Sequence, residues 1–163
     1  MEETNTIRKF SGISLKENMK PFKKLSVHEN EELLKFPAYI SLLAANSDGK
    51  LDEVEKMSAI KFVHIKTFSS PPLLINFYIE ADKVFENNIE KLDKELPKEK
   101  DKREAIIKKE ILNLEMIILK LGKKYTSSMH HSMKSFKEHV FKAHHNVVVD
   151  MIFPVSIPGL TDS

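Results

Sequence analysis

The stretch Ala44-Ala45-Asn46-Ser47-Asp48-Gly49-Lys50-Leu51-Asp52-Glu53-Val54-Glu55 joins two segments that have the apolar spacing of helices. A helix that reaches Ala45 can end at Gly49, because glycine takes a positive φ without steric cost. Asp52 is a favourable N-cap residue, and Glu55, three residues later, completes a capping box. The stretch therefore predicts a helix–turn–helix corner, and with it an all-helical fold.

The same corner carries oxygen-bearing side chains in a register close to that of a calcium-binding EF-hand loop. When Gly49 is aligned with the glycine of that loop, four side chains fall at ligand positions: Asn46, Asp48, Asp52 and Glu55. Ala44 falls at the first ligand position, where it offers no side-chain oxygen. The corner is thus interpreted first as a structural turn and second as a site for a divalent metal ion.

The corner also carries a family resemblance, through the pattern Ala-x-x-Asp-Gly-x-Leu-Asp-x-x-Glu. The residues that form it are Ala45, Asp48, Gly49, Leu51, Asp52 and Glu55. With apolar helices on both sides, over about residues 33–68, it resembles the tellurite-resistance TerB-like family. The resemblance implies a cytoplasmic all-helical domain linked to tellurite and chemical-stress resistance. It also implies a metal site at an acidic cluster, which here consists of Asp48, Asp52 and Glu55.

Composition sets the remaining limits. The chain has 163 residues, of which 41% are hydrophobic and 31% charged, as expected for one soluble globular domain. It has no cysteine, which excludes disulfides, thiolate metal sites and cysteine nucleophiles. No apolar run is long enough for a membrane helix, and no signal peptide is evident, so we expect a cytoplasmic protein. The net charge of +2, with three tyrosines and no tryptophan, argues against nucleic-acid binding.

Apolar periodicity predicts a single bundle of about five to six helices over residues 26–150. The predicted helices cover residues 26–46 with a kink or break at Pro37, 52–68, 70–96, 98–121 and about 126–146. The second of them is apolar on most sides, which is typical of a central helix. Residues 1–25 are predicted to form a basic N-terminal arm. Residues 151–163 are predicted to form an apolar, proline-containing tail that packs on the bundle, near its first or last helix.

Histidines form the second group of candidate ligands, because five of them lie between positions 130 and 145. None of these five is three or four residues from another, so one helix cannot bring them together as a compact site. A metal site would need His139 or His144 to meet His64 and Glu115 from other helices. The other interpretation places these histidines, and Glu115, on solvated faces.

Three functions follow from these observations. The first is a TerB-like module that binds a metal or metalloid at the corner and serves a stress response. The second is a protein-interaction or self-association module that uses the apolar tail and holds no metal. The third is a carboxylate–histidine metalloenzyme. Because no nucleophile motif or phosphate-binding glycine loop occurs, a binding module is favoured over an enzyme.

Overall fold

The structure is a computed structural model that describes residues 21–45 and 51–152, with side chains through residue 143. The described residues form helices and turns and contain no strand, which confirms the all-α prediction. A 3-10 turn, Pro21–Lys24, precedes six α-helices in the described part of the chain. The helices are α1 Val27–Leu33, α2 Phe36–Ala45, α3 Glu53–Ser69, α4 Pro72–Glu95, α5 Lys100–Leu119 and α6 Lys123–Ile152.

The first predicted helix is two helices that meet at Leu34 and Lys35. The N-cap of α1 is Ser26, whose hydroxyl accepts a hydrogen bond from the Glu29 N–H at 3.1 Å. The Glu29 carboxylate accepts one from the Ser26 N–H at 2.8 Å, which completes a capping box. Pro37 is the second residue of α2, where its missing N–H is tolerated. The prediction of a break or kink near Pro37 is therefore resolved as a break.

The central helix of the bundle is α2. Nine of its ten residues are buried, and it packs against α3, α4, α5 and α6. The prediction that residues 52–68 form the central helix is wrong. Of α3, only Glu55, Ala59 and Val63 are buried, because α3 packs chiefly on α4 and α6, which leaves one face to solvent.

The long helices α4 and α5 follow their predicted apolar stripes. Along α4 the stripe Leu74, Tyr78, Ala81, Phe85, Ile89 and Leu92 is buried throughout. Pro71 holds the N-cap position of α4 and makes no side-chain cap hydrogen bond, so the helix begins two residues after the predicted start at residue 70. Ser70 instead ends α3, where its N–H donates to the Lys66 carbonyl. After α5 the chain turns at Gly122, whose φ of 96° is favourable for glycine.

Helix α6 is longer than predicted at both ends. It begins at Lys123, and the Thr126 N–H donates to the Gly122 carbonyl at 3.0 Å, so Thr126 lies within the first turn and does not cap a new helix. It continues to Ile152, so the predicted boundary of the bundle at residue 150 moves by two residues. At the other end, Leu25 is buried in the core and Phe22 packs against it, so the last residues of the predicted arm belong to the bundle. Residues 1–20, 46–50 and 153–163 lie outside the described residues.

Candidate functional site

The acidic corner is described only from Leu51 onward. Asp52 is the N-cap of α3, and its carboxylate accepts a hydrogen bond from the Glu55 N–H at 2.7 Å, as predicted for a structural corner. Glu55 is buried, with 2% of its surface exposed. Asn46, Asp48 and Gly49 lie outside the described residues, so the metal site predicted at Asp48, Asp52 and Glu55 stays a prediction.

The histidines and Glu115 are distributed over three separate places. His64 Nδ1 lies 3.0 Å from the Asp82 carboxylate on the surface between α3 and α4. Glu115 is half-exposed on α5, and its carboxylate lies 3.8 Å from His130 Nε2 on α6, beyond hydrogen-bonding distance. The side chain of His144 lies outside the described part.

His139 packs on α3, away from both of these pairs. Its ring stacks on Phe62 with centroids 4.1 Å apart, and its Nε2 lies 3.1 Å from the Ser58 hydroxyl. Burial in this contact lowers the pKa of His139, and the charge of Lys66 lowers it further. Among the residues that the structure describes, no three His, Asp or Glu side chains are grouped so that they could hold a metal ion.

An apolar cavity of about 450 Å³ lies between the N-terminal 3-10 turn, α1 and α4. This volume is within the range of small-molecule sites. Its lining residues are Phe22, Lys23, Leu25, Val27, Asn30, Leu34, Asn76, Phe77 and Glu80. Phe77 and Leu25 are buried core residues, whereas Val27 is 77% exposed. The cavity therefore has an apolar interior that opens to solvent.

The cavity lining includes a polar side chain that holds the N-terminal turn in place and two charged side chains. The Asn30 amide donates to the carbonyls of Phe22 at 3.3 Å and Ser26 at 3.1 Å, which holds the turn against α1. Glu80 is paired with Lys83 at 2.9 Å. Lys23 is exposed and makes no ion pair within the described residues.

Sequence reasoning missed this cavity, because its lining comes from segments more than forty residues apart. Val27 is the local feature of the sequence that could have indicated the cavity. It is apolar, whereas the other residues in the first turn of α1 are polar.

Comparisons with protein-family models, with curated proteins and with solved structures found no significant match to the chain. The resemblance to the TerB-like family stays a prediction. In the described part of the chain, no helix combines the length and the apolar character needed to cross a membrane.

Proposed function

We propose that the protein is a binding module that takes an amphipathic anion, an apolar body with an acidic end group, into the cavity beside Phe77. The observation that carries this proposal is the cavity itself, an open apolar space of about 450 Å³. Its lining includes Lys23, which makes no ion pair with the described part of the chain. Burial of an apolar chain there would contribute about 25 cal/mol for each Å² removed from water. Lys23 would select the acidic end group.

The proposal is tested with ten-carbon alkyl probes that differ only in their head group: decanoate, decanol and decylamine. Binding is measured by isothermal titration calorimetry and by the rise in melting temperature. We expect decanoate to bind more tightly than decylamine by about two- to fivefold, the range of one exposed ion pair. In Lys23→Gln this preference should disappear while decanol binding is unchanged.

A variant that fills the cavity provides the decisive comparison. Leu34 lies partly buried in the lining, and Leu34→Trp should fill the space and abolish binding of all three probes. The matched control is Leu112→Trp, which adds the same side chain at an exposed position on α5. Equal affinity of the two variants for decanol would contradict the proposal.

The oxygen-bearing side chains of the corner favour a second candidate function, the TerB-like metal or metalloid response. Carboxylate and amide oxygens are ligands for calcium and magnesium ions. In the sequence, Asn46 and Asp48 precede Glu55 at the spacing that completes the near-EF-hand register. Asp52 supports this function less, because its carboxylate caps α3.

The corner function is tested by melting temperature in the presence of calcium, magnesium or zinc. A bound cation should raise the melting temperature of the wild-type protein and not that of Asp48→Ala. If none of the three cations shifts the wild type, the corner is a structural turn. Elemental analysis of the purified protein separates this function from the amphipathic-anion site, which needs no metal.

A further inference from the structure

The outer side of α5 exposes three large apolar side chains near the end of the helix. Leu112, Met116 and Leu119 are each between 59% and 65% exposed, so no described helix covers them. Their spacing of four and three residues places them on one side of α5, opposite the buried Leu114 and Ile118. We call Leu112, Met116 and Leu119 the α5 patch. Neighbouring exposed apolar side chains, in contrast to scattered single ones, indicate a surface that binds a partner.

The α5 patch lies in a basic part of the chain. Residues 108–124 contain five lysines and two glutamates, which gives this segment a net charge of +3. Lys109 lies one helical turn before Leu112, and Lys123 lines a groove of about 370 Å³ together with Leu119. Both lysines are exposed, and neither makes an ion pair with the described part of the chain. The patch therefore has a cation close to each of its two ends.

The two glutamates of this segment do not occupy the middle of the patch. Glu115 lies at its border, where its carboxylate is 3.8 Å from His130 of α6. Glu110 is two residues from Leu112, which places it on the opposite side of α5, and its charge raises the pKa of Tyr39 on α2. The outward surface around the patch is therefore apolar and basic.

The other lysines of the segment contribute to this charge to different degrees. Lys108 is paired with Glu104 at 2.6 Å, and Lys120 is paired with Glu29 of α1, so part of their charge is neutralised. Lys124 is exposed at the beginning of α6. The unneutralised charge of the segment is thus carried mainly by lysines at the two ends of the patch and just after it.

Projecting apolar side chains flanked by lysines fit the chemistry of an anionic lipid bilayer. A helix that lies in a membrane interface places its apolar side chains between head groups and acyl chains, while its lysines contact anionic head groups. Helix α5 can take this position because one of its sides packs chiefly on α2 and the other faces solvent. A fluid bilayer adapts to side chains that project from a helix, whereas an acidic protein would need a groove shaped to receive them. The bilayer is therefore the partner that this surface favours.

We propose that the end of α5 and the beginning of α6 dock on the surface of an anionic membrane. Leu112, Met116 and Leu119 enter the interface, and Lys109 and Lys123 contact the acidic head groups. Binding is reversible, because three side chains bury far less apolar area than a helix that spans the membrane. It also weakens with salt, because the attraction between the lysines and the anionic surface is screened over about 10 Å at 0.1 M ionic strength.

The proposal is tested by co-sedimentation of the full chain with phosphatidylcholine vesicles that contain or lack phosphatidylserine. We expect binding to the vesicles that contain phosphatidylserine, and Lys123→Gln should lower that partition coefficient about fivefold, the effect of one lysine near an anionic surface. The matched control is Lys61→Gln, which removes an exposed lysine of α3 and should change nothing. Absence of binding, or equal binding to both kinds of vesicle, would overturn the proposal. Binding to a poly-glutamate column without binding to vesicles would assign the surface to an acidic protein and overturn it as well.

A methionine comparison tests the apolar part of the contact. Met116→Ser should lower the partition coefficient about tenfold, the effect expected when one apolar side chain no longer leaves water. Met57→Ser removes an equally large side chain that is 48% exposed on α3, and it should have no effect. Equal losses in the two variants would show that the α5 patch is not the contact surface.

Insertion of the patch can be measured directly with tryptophan, which the chain naturally lacks. When Leu112→Trp binds vesicles, its fluorescence should shift to shorter wavelengths and be quenched by brominated lipids. Phe68→Trp places the same reporter at an exposed position on α3, where neither change should occur. If Leu112→Trp stays unquenched while the protein is bound, or if the two reporters behave alike, the proposal is wrong.

Discussion

Raising the pH above 10 is expected to unfold this protein, because the fold keeps its tyrosines protonated. The chain has three tyrosines, at positions 39, 78 and 125, and all three are buried. Burial raises the pKa of Tyr78 to about 12, although the hydrogen bond with Ser132 lowers it in part. Burial also raises the pKa of Tyr39 to about 12, with a further contribution from Glu110. Tyr125 is shifted in the same direction by burial and by Tyr78.

The sign and size of the effect follow from proton linkage. Below pH 10 the tyrosines are protonated in both states, and the free energy of unfolding does not depend on them. Above pH 10 the unfolded chain releases these protons while the folded chain retains them, so the free energy of unfolding falls. Each buried tyrosine removes up to about 1.4 kcal/mol per pH unit. Tyr78 and Tyr125 together remove up to about 3 kcal/mol per unit, and Tyr39 acts in the same direction.

A domain with a net stability near 5 kcal/mol, at the lower end of the usual range, should then unfold between about pH 11 and 12. The assay is a pH titration followed by circular dichroism for helix content and by absorbance at 295 nm for tyrosinate. Because the chain contains no tryptophan, this absorbance reports tyrosine alone. We expect the absorbance to rise together with the loss of helix, in one cooperative transition.

Two variants separate ionisation from the loss of a hydrogen bond. Tyr78→Phe and Ser132→Ala both remove the bond between the two side chains, but only Tyr78→Phe removes the titrating group. Tyr78→Phe should therefore reduce the slope of stability against pH by about 1.4 kcal/mol per unit, and Ser132→Ala should retain it. Lysine deprotonation affects both variants alike. Three tyrosinates that appear near pH 10 while the helices persist would refute the reasoning.

Three further outcomes are expected. Gly122→Ala should lower the free energy of unfolding by about 1 kcal/mol, measured by urea unfolding, because a φ of 96° strains alanine although no atom lies within 4 Å of the added Cβ; no change would show that the turn relaxes. Asp52→Ala should cost about 1 kcal/mol through loss of the α3 N-cap, and Asp52→Ser should recover most of it. The lowered pKa of His139 means that stability should fall as the pH drops below about 6.5, where the unfolded histidine takes up a proton first. His139→Gln should lose this part of the pH dependence, and an NMR titration of His139 near its ordinary pKa would contradict it.

The helices that could be predicted from the sequence are those with one clear apolar stripe. In α4, Tyr78, Phe85 and Ile89 recur at helical spacing, and each is buried. The centre of the bundle could not be predicted in the same way. Burial of a helix depends on how many other helices surround it. The distribution of apolar residues along α3 does not show that Met57 and Ile65 face away from the neighbouring helices.

The corner is formed by residues close together in the sequence, whereas the cavity is formed by residues far apart. Asp52 as the N-cap of α3 is a relation between residues three apart, so the sequence was sufficient to predict it. The cavity depends on how the turn at Phe22 meets Phe77 on α4, which is a relation between distant segments. The spacing of apolar residues within one helix does not predict whether a cavity lies between that helix and another. The pairs of Glu115 with His130 and of His64 with Asp82 could not be predicted for the same reason.

The position of α2 at the centre has a consequence for synthesis of the chain on the ribosome. Phe36–Ala45 contains no charged residue, and its surface is covered by helices that all follow it in the sequence. The last of them, α6, begins only at Lys123, so α2 is synthesised well before this partner exists. During that interval its apolar surface is open to aggregation. Chains that stop before α6 should consequently depend on chaperones to remain soluble.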